Sequence, residues 1–341
     1  MNKDQTYPSA SILIPVRNEE KYIERCIQNI MDTNYPLNKI ELIVIDGESY
    51  DGTLEVVRRL QEQGLNIKLL SNPKRTPYAG LNIGIRHAKG DIIVRVDARS
   101  ICPRDYIKAC IDTLIETNAD NVGGVQRPII GITPNQEAIA LVMTHPFGVG
   151  NAQFRIGKKS GYVDTVYLGC FKKEIFGKVG YFDEDGPVIS EDSSMNLRIR
   201  ETGGKVYLNK DIVVSYFPKD NLKDFWRQYF IYGGARAHSF LKHKKFTSLR
   251  QLVPLSFLMG LFVLCILSFI DGRFLLLLFS ISGTYILLNF LVSLFLSVNN
   301  KKWNLFPRLL VAFSCMHFAW SLGFFRRLIE GSKPGRHWRK N

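Results

Sequence analysis

The chain has 341 residues, 46% of them hydrophobic, enough for one large domain or two ordinary ones, and near-average glycine (27) and proline (14) exclude collagen-like and disordered classes. Its net charge of +14 is uneven: residues 1–218 carry 27 basic and 27 acidic side chains, whereas residues 219–341 carry 18 and 4. The basic third also holds the longest apolar runs, so its cations point to a membrane surface and away from nucleic acid. Six cysteines, at 26, 102, 110, 170, 265 and 315, form no C-x-x-C pair, and the expectation is reduced thiols rather than a disulfide framework or zinc site. Residues 1–10 are polar and the first apolar run is short, so no secretory leader is expected.

Ser11–Val16 is an apolar run that predicts a buried strand, stopped by Pro15 and the polar Arg17-Asn18-Glu19-Glu20. Tyr22, Ile23, Cys26, Ile27 and Ile30 fall at helical spacing, predicting a helix to about Met31. Ile40–Ile45 is a second strand, ending at Asp46-Gly47, and Asp51 is the expected N-cap of a helix through Gln63. A strand over Asn66–Leu70, a helix over Tyr78–Ala88 and a strand over Asp91–Val96, ending at Asp97, follow. Pro103 is placed at the first position of a helix reaching Thr117, and Asp120–Val125 is a further strand. Beyond a less regular region, a short strand at Gly169–Phe171 and a helical turn at Glu174–Val179 are expected. Ser190 is the candidate N-cap of a helix to Arg200, with strands at Lys205–Leu208 and Ile212–Phe217.

Apolar strands alternating with helices predict an α/β fold, a mainly parallel sheet covered by helices on both faces. Ligands of such sheets bind beyond the carboxyl ends of the strands, where Asn18, Glu19, Asp46 and Asp97 all fall. Turn formation explains any one of these polar residues; three strands delivering them to one rim favours a site.

In the last third, Leu222–Leu241 has an apolar stripe of Leu222, Phe225, Trp226, Tyr229 and Phe230, and Lys242, Lys244, Lys245 and Arg250 follow it. The expectation is a helix lying at a bilayer interface. Gln251–Ile270, Phe274–Asn300 and Leu309–Phe325 are three charge-free runs of 20, 27 and 17 residues, the first about 30 Å long as a helix. The Asp271-Gly272 break implies a tight hairpin. Two topologies stay open. Three spans would put the basic tail of Arg326, Arg327, Lys333, Arg336, Arg339 and Lys340 across the membrane from the first domain; a re-entrant run would return it. The domain reading is a catalytic domain over 1–218, a basic interfacial segment over 219–250, two or three membrane helices over 251–325 and a basic tail over 326–341.

The motifs P-V-R-N-E-E after strand one, V-I-D-G-E-S-Y-D-G-T after strand two, N-x-G-I-x-x-A-x-G-D before strand four, V-R-V-D-A-R after it, G-C-F-K-K-E with G-Y-F-D-E, and E-D-S-S-M-N-L-R-I-R resemble, in that order, glycosyltransferase family 2 over roughly residues 10–240. The likeness runs to the membrane-attached bacterial enzymes of the succinoglycan type, which build exopolysaccharide on a lipid carrier. It implies the GT-A nucleotide-diphospho-sugar transferase fold plus C-terminal transmembrane helices. It also implies a nucleotide-sugar donor, UDP-linked by preference, a polyprenyl-linked acceptor, membrane lipids as surroundings, and a catalytic domain on the cytoplasmic side of the cell's inner membrane.

Departure of the nucleoside diphosphate builds negative charge that a divalent cation, Mg²⁺ or Mn²⁺, or basic side chains must stabilise. The resemblance places Asp97 at the metal as first residue of the family's D-x-D motif, which here reads Asp97-Ala98-Arg99 and lacks the second carboxylate. Arg99 then either contacts the diphosphate or points to solvent. By the same resemblance Pro15, Glu19 and Asp46 line the nucleoside pocket and Asn82 lies near the ribose, with Gly84 beside it. Asp192 of the E-D motif is the base that takes the acceptor hydroxyl proton, Glu191 supports it, and Arg227 and Arg236 are candidates for the leaving group. Transfer to polyprenyl monophosphate, as in dolichyl-phosphate mannose synthases, and a non-catalytic nucleotide-sugar-binding scaffold are the alternative readings. No H-x-x-x-H, H-E-x-x-H or G-x-x-x-x-G-K-[ST] pattern is present, which removes support for a zinc hydrolase or a P-loop enzyme.

Overall fold

The computed structural model describes residues 7–130, 133–184, 191–246 and 248–331. These fall into two compact units, one from Met1–Arg127 with Gln153–Phe217 and the other from Pro128–Ala152 with Pro218–Asn341. Within the stretch expected as one catalytic domain over 1–218, Pro128–Ala152 groups with the C-terminal helices in the second unit.

In the first unit the chain runs β1 (Ala10–Val16), α1 (Glu20–Met31), β2 (Ile40–Asp46), α2 (Thr53–Glu62), β3 (Ile67–Ser71), α3 (Pro77–His87), β4 (Ile92–Arg95), β5 (Ser100–Ile101), α4 (Tyr106–Thr117) and β6 (Asn121–Pro128). The second unit then takes α5 (Pro134–Thr144) and α6 (Pro146–Val149). The first resumes with α7 (Gln153–Ile156), β7 (Gly161–Tyr162), β8 (Tyr167–Lys172), α8 (Ile175–Val179), α9 (Glu191–Glu201) and β9 (Val206–Tyr216). Strand order is β3-β2-β1-β4-β8-β6-β9-β5, with β7 also on β9.

Strands β3, β2, β1 and β4 are parallel, joined by α1, α2 and α3. Their side chains alternate between two cores, as period-two geometry requires. Ile12, Ile14, Val44 and Val94 face α1, α2 and α4 through Ile23, Val57 and Ile107. Leu13, Ile43, Ile45 and Ile93 face α3, α8 and α9 through Leu81, Ile175 and Met195. The other half departs from the expected mainly parallel sheet: β8 runs antiparallel to β4 and β6, and β9 antiparallel to β5 and β7, so the sheet is mixed. Parallel pairing needs a crossover helix on the sheet, and between β6 and β8 this unit contributes only the single turn α7.

Local boundaries shift for identifiable reasons. Asp51 stands one residue before the N-cap Gly52 of α2, yet its Oδ1 still accepts from the Thr53 backbone N–H at 3.1 Å. Pro103 precedes α4 by three residues, and Asp105 is the N-cap. The two strands expected over 205–217 are one strand, β9, which passes through exposed Lys210 and Asp211 without breaking. Ser190, the expected N-cap of α9, lies outside the described residues.

The second unit adds α10 (Leu222–His243), α11 (Leu252–Ser268), α12 (Arg273–Asn299) and α13 (Phe306–Glu330). Leu249–Ser268, Arg273–Asn299 and Trp303–Glu330 are long and apolar enough to cross a membrane. The third outruns its charge-free window because Arg308, Arg326 and Arg327 are carried within the helix. Arg308 Nε donates to Asn135 Oδ1 at 3.1 Å, and Arg327 is buried. Asp271 closes the α11–α12 hairpin by accepting from Arg273 N–H and Nε at 2.9 and 2.8 Å. Of the expected tail, residues 332–341 lie outside the described residues.

Helix α10 packs along α13. Gly233 lies against the Trp320 carbonyl and Gly323 against the Phe230 carbonyl, so closely that a Cβ at either position would overlap backbone. The stripe expected to meet lipid is split: Phe225 and Tyr229 are buried, and Trp226 is 37% exposed. Helix α5 belongs to the same unit, where Lys302 Nζ donates to both oxygens of buried Glu137 at 2.9 Å. Thr133 caps it, accepting from Gln136 N–H at 3.2 Å.

Candidate active site

The rim at the carboxyl ends of β1, β2 and β4 is built from two laced loops. Asn18 and Glu48 both adopt the left-handed conformation, which turns the chain sharply as it leaves each strand. Asn18 N–H donates to Ser49 Oγ at 2.9 Å, and Tyr50 N–H returns to Asn18 Oδ1 at 3.0 Å. Asp46 is buried, its carboxylate accepting from Ser49 Oγ at 2.6 Å and Ser49 N–H at 3.1 Å. Half-buried Pro15 lies in β1 beneath Gly80 of α3.

Glu19 donates its N–H to Thr53 Oγ1 at 2.8 Å. Its carboxylate takes the Nε of Arg99, the residue standing where a second D-x-D carboxylate would be. The Arg99 guanidinium also lies 5.2 Å from the Tyr22 ring centroid, so this exposed side chain is tied to two rim residues.

The centre of the site is Arg95, which the sequence reading passed over. Its Nε donates to Asp97 Oδ1 at 2.9 Å, and its Nη1 pairs with Glu191 Oε1 at 2.8 Å. Arg95 and Asp97 are two residues apart and share the sheet face that α9 covers, which is why the first turn of α9 meets them. A lone arginine inside the apolar run DIIVRV was the available signal, since a charge in a buried strand requires partners. Burial works against the Arg95 charge, but Asp97 and Glu191 outweigh it and hold the guanidinium protonated well above its ordinary range. Burial pushes the Glu191 carboxyl up, with Arg95 opposing. Asp192, next in the turn, is half-buried and accepts from Ser193 N–H at 3.0 Å.

Pro15, Glu19, Asp46, Asp97, Arg99, Glu191 and Asp192 thus belong to one unit, on its rim and at the α9 start that meets it. Asn82, expected near the ribose, lies in the interior of α3. It is 1% exposed; its Nδ2 donates to Phe182 O and Glu184 Oε1, both at 2.8 Å, and its Oδ1 accepts from Phe182 N–H at 2.8 Å. Those bonds hold the 182–184 segment against α3. Arg227, exposed, and Arg236, half-buried, are carried by α10 in the second unit.

No group of three or more potential metal-ligating side chains occurs among the described residues. Asp97 is one-third exposed with Oδ1 turned to Arg95. One carboxylate fits a cation that arrives with a diphosphate and keeps water ligands, as Mg²⁺ sites commonly do.

A mixed sheet of this order with carboxylates at the β4 end is the arrangement of a GT-A glycosyltransferase. Residues 11–179 match the family profile "Glycosyl transferase family 2". The succinoglycan biosynthesis protein ExoA of Rhizobium meliloti (strain 1021) is 30% identical over 97% of this chain and 98% of its own. A Methanococcus voltae enzyme, dolichyl N-acetyl-alpha-D-glucosaminyl phosphate 3-beta-D-2,3-diacetamido-2,3-dideoxy-beta-D-glucuronosyltransferase, is 30% identical over 94% of this chain and 98% of its own. In structure the chain is similar to the mannosyltransferase PcManGT from Pyrobaculum calidifontis, solved with GDP-Man and Mn²⁺, at a TM-score of 0.61 and 18% identity over 96% and 88% of the two chains. The chain belongs to glycosyltransferase family 2, and it is a glycosyltransferase.

Proposed function

We propose that the protein moves a sugar, with inversion, from a nucleotide-diphosphate donor to a polyprenyl-linked saccharide during cell-surface polysaccharide synthesis. The observation that carries this reading is that Asp97 and Glu191, from the two motifs, both pair with Arg95 at the end of β4. Inversion needs a metal or cation locus and a base on opposite sides of one sugar carbon, and two motifs distant in sequence converge there. Asp192 accepts the proton of the attacking hydroxyl; Glu191 anchors the turn that carries it. Asp97 would hold Mg²⁺ or Mn²⁺, which when bound neutralises charge developing on the leaving diphosphate. Pro15, Glu19 and Asp46 line the nucleoside side, where a carboxylate accepts an imide N–H, supporting a UDP donor. Arg99 is proposed to meet the diphosphate, and Arg227 and Arg236 of α10 remain candidate cations of the second unit.

A lipid-linked acceptor is supported by the two relatives, one named for succinoglycan biosynthesis and one for transfer to a dolichyl-linked sugar phosphate. The three apolar helices support residence in the cell's inner membrane, as a multi-pass protein with the sheet unit on the cytoplasmic side, where nucleotide sugars are made. The test is incubation of membranes with a panel of radiolabelled nucleotide sugars and lipid-extractable acceptors, comparing wild type with Asp192→Asn. Label should pass to the lipid phase from one donor, with kcat reduced in the variant and nucleotide binding kept within a few-fold, because a base acts only in the transition state. No transfer from any donor, or equal loss of binding and turnover in the variant, would overturn the reading.

A further inference from the structure

We propose that Arg95 is a positioning residue for transfer: its buried guanidinium holds Asp97, from the β4 motif, and Glu191, from the α9 motif, in one fixed relation. It thereby sets where a diphosphate-borne cation stands relative to Asp192. The inference rests on the roles proposed above for Asp97 and Asp192.

Arg95 is 8% exposed and stands in a strand whose other residues, Ile92, Ile93 and Val94, are buried and aliphatic. Stability alone gives little reason for a charge here, because a buried ion pair seldom does better than apolar residues of similar volume. Geometry gives a reason. The guanidinium sets its nitrogens in one rigid plane, so it can hold Asp97 by a directed hydrogen bond and pair with Glu191 from another nitrogen, whereas a lysine ammonium would have to meet both from a single atom. Nε takes Asp97 Oδ1 at 2.9 Å while Nη2 stands 3.5 Å from Oδ2. One oxygen is thereby anchored, and the side chain stays 34% exposed toward ligand. On the other side Nη1 stands 2.8 Å from Glu191 Oε1 as an ion pair without hydrogen-bond alignment, and that carboxylate's side chain is only 8% exposed. Asp192 follows on the same helical turn, so fixing Glu191 fixes the start of α9 and the base with it.

The test uses the full chain in detergent. UDP and GDP are titrated by calorimetry with and without Mn²⁺, and the readout is the Mn²⁺-dependent gain in nucleotide affinity. Arg95→Met should reduce that gain roughly 10-fold or more, the usual effect of removing a group that orients a metal ligand. Arg95→Lys, which keeps the charge and one contact, should recover part of it. Arg95→Met alone leaves two carboxylates crowded together and can fail to fold. The double variant Arg95→Met/Glu191→Gln relieves that repulsion and should melt near wild type, yet still lack the gain. A wild-type gain in the double variant would make Arg95 a mere counter-ion and overturn the proposal. Asp97→Asn in the same assay separates the two levels. If it loses the gain and the Arg95 variants keep it, the positioning role alone fails. If Asp97→Asn keeps the gain, the metal role of Asp97 fails and the positioning role falls with it.

Discussion

The Nε of Arg99 donates to both carboxylate oxygens of Glu19, at 2.8 and 3.1 Å, joining the loop after β1 to the turn after β4. The Arg99 side chain is 55% exposed, so the pair adds little to stability, about 0–1 kcal/mol. Its consequence is orientation of two rim residues. Arg99→Ala should leave the melting temperature within a few degrees and raise the donor KM several-fold. A large loss of stability without a KM change, seen by thermal melting and steady-state kinetics, would contradict this.

Asp97→Asn should lower turnover at least ~100-fold, equivalent to ~3 kcal/mol of transition-state stabilisation. It is the one D-x-D carboxylate that remains, and no other group of ligating side chains among the described residues stands in for it. Near-normal rates in saturating Mg²⁺ or Mn²⁺ would remove Asp97 from the reaction.

Asn82→Ala should act on stability rather than on nucleotide binding. It strips the N–H and carbonyl of Phe182 of their partner in a buried setting, and each orphaned group costs ~1–3 kcal/mol. Glu184 loses a hydrogen bond that, with Lys74, keeps its carboxyl below the ordinary range. Thermal denaturation should report the loss, with nucleotide affinity by calorimetry unchanged within a few-fold.

The four cysteines of the sheet unit, Cys26, Cys102, Cys110 and Cys170, are all buried and free. Burial raises each thiol pKa, Cys26 from 9.0 to about 12. Folded thiols therefore keep their protons at a pH where unfolded ones release them. Stability should be flat with respect to these groups below pH ~8.5 and fall as pH rises from there toward 12. At pH 8 alkylating reagents should leave all four unmodified until denaturant is added, because the thiolate is the reactive form. Rapid labelling of Cys26 in native protein, read by peptide mass spectrometry, would contradict its burial.

Gly233→Leu should disrupt the α10–α13 crossing, where overpacking costs ~1–3 kcal/mol or more when backbone must move. Size-exclusion profiles in detergent should broaden and melting should fall. Gly260→Leu on α11, with open space around the α-carbon, is the matched control and should be neutral.

Much of this protein was legible along the chain. Apolar runs and helical spacing marked β1 to β4 and the helices between them, because local burial is written as period two or period 3.6. The rule that ligands gather at the carboxyl ends of parallel strands picked out Glu19, Asp46 and Asp97, and the charge-free runs located the three apolar helices. What the sequence could not decide were pairings between distant segments. Arg95 reads as an oddity in a strand until β4 register and the covering helix α9 bring Glu191 to it. Nothing in the sequence around Asn82 tells that it bonds the Phe182 backbone, a hundred residues on. Residues 128–152 read as irregular sheet-domain chain until α5 finds Lys302. The stripe on α10 reads as lipid-facing until Gly233 and Gly323 let α13 approach. In each case the side chain's own pattern specifies that it must be buried or paired. Only the tertiary structure supplies the partner, because register and helix crossing set which surfaces meet.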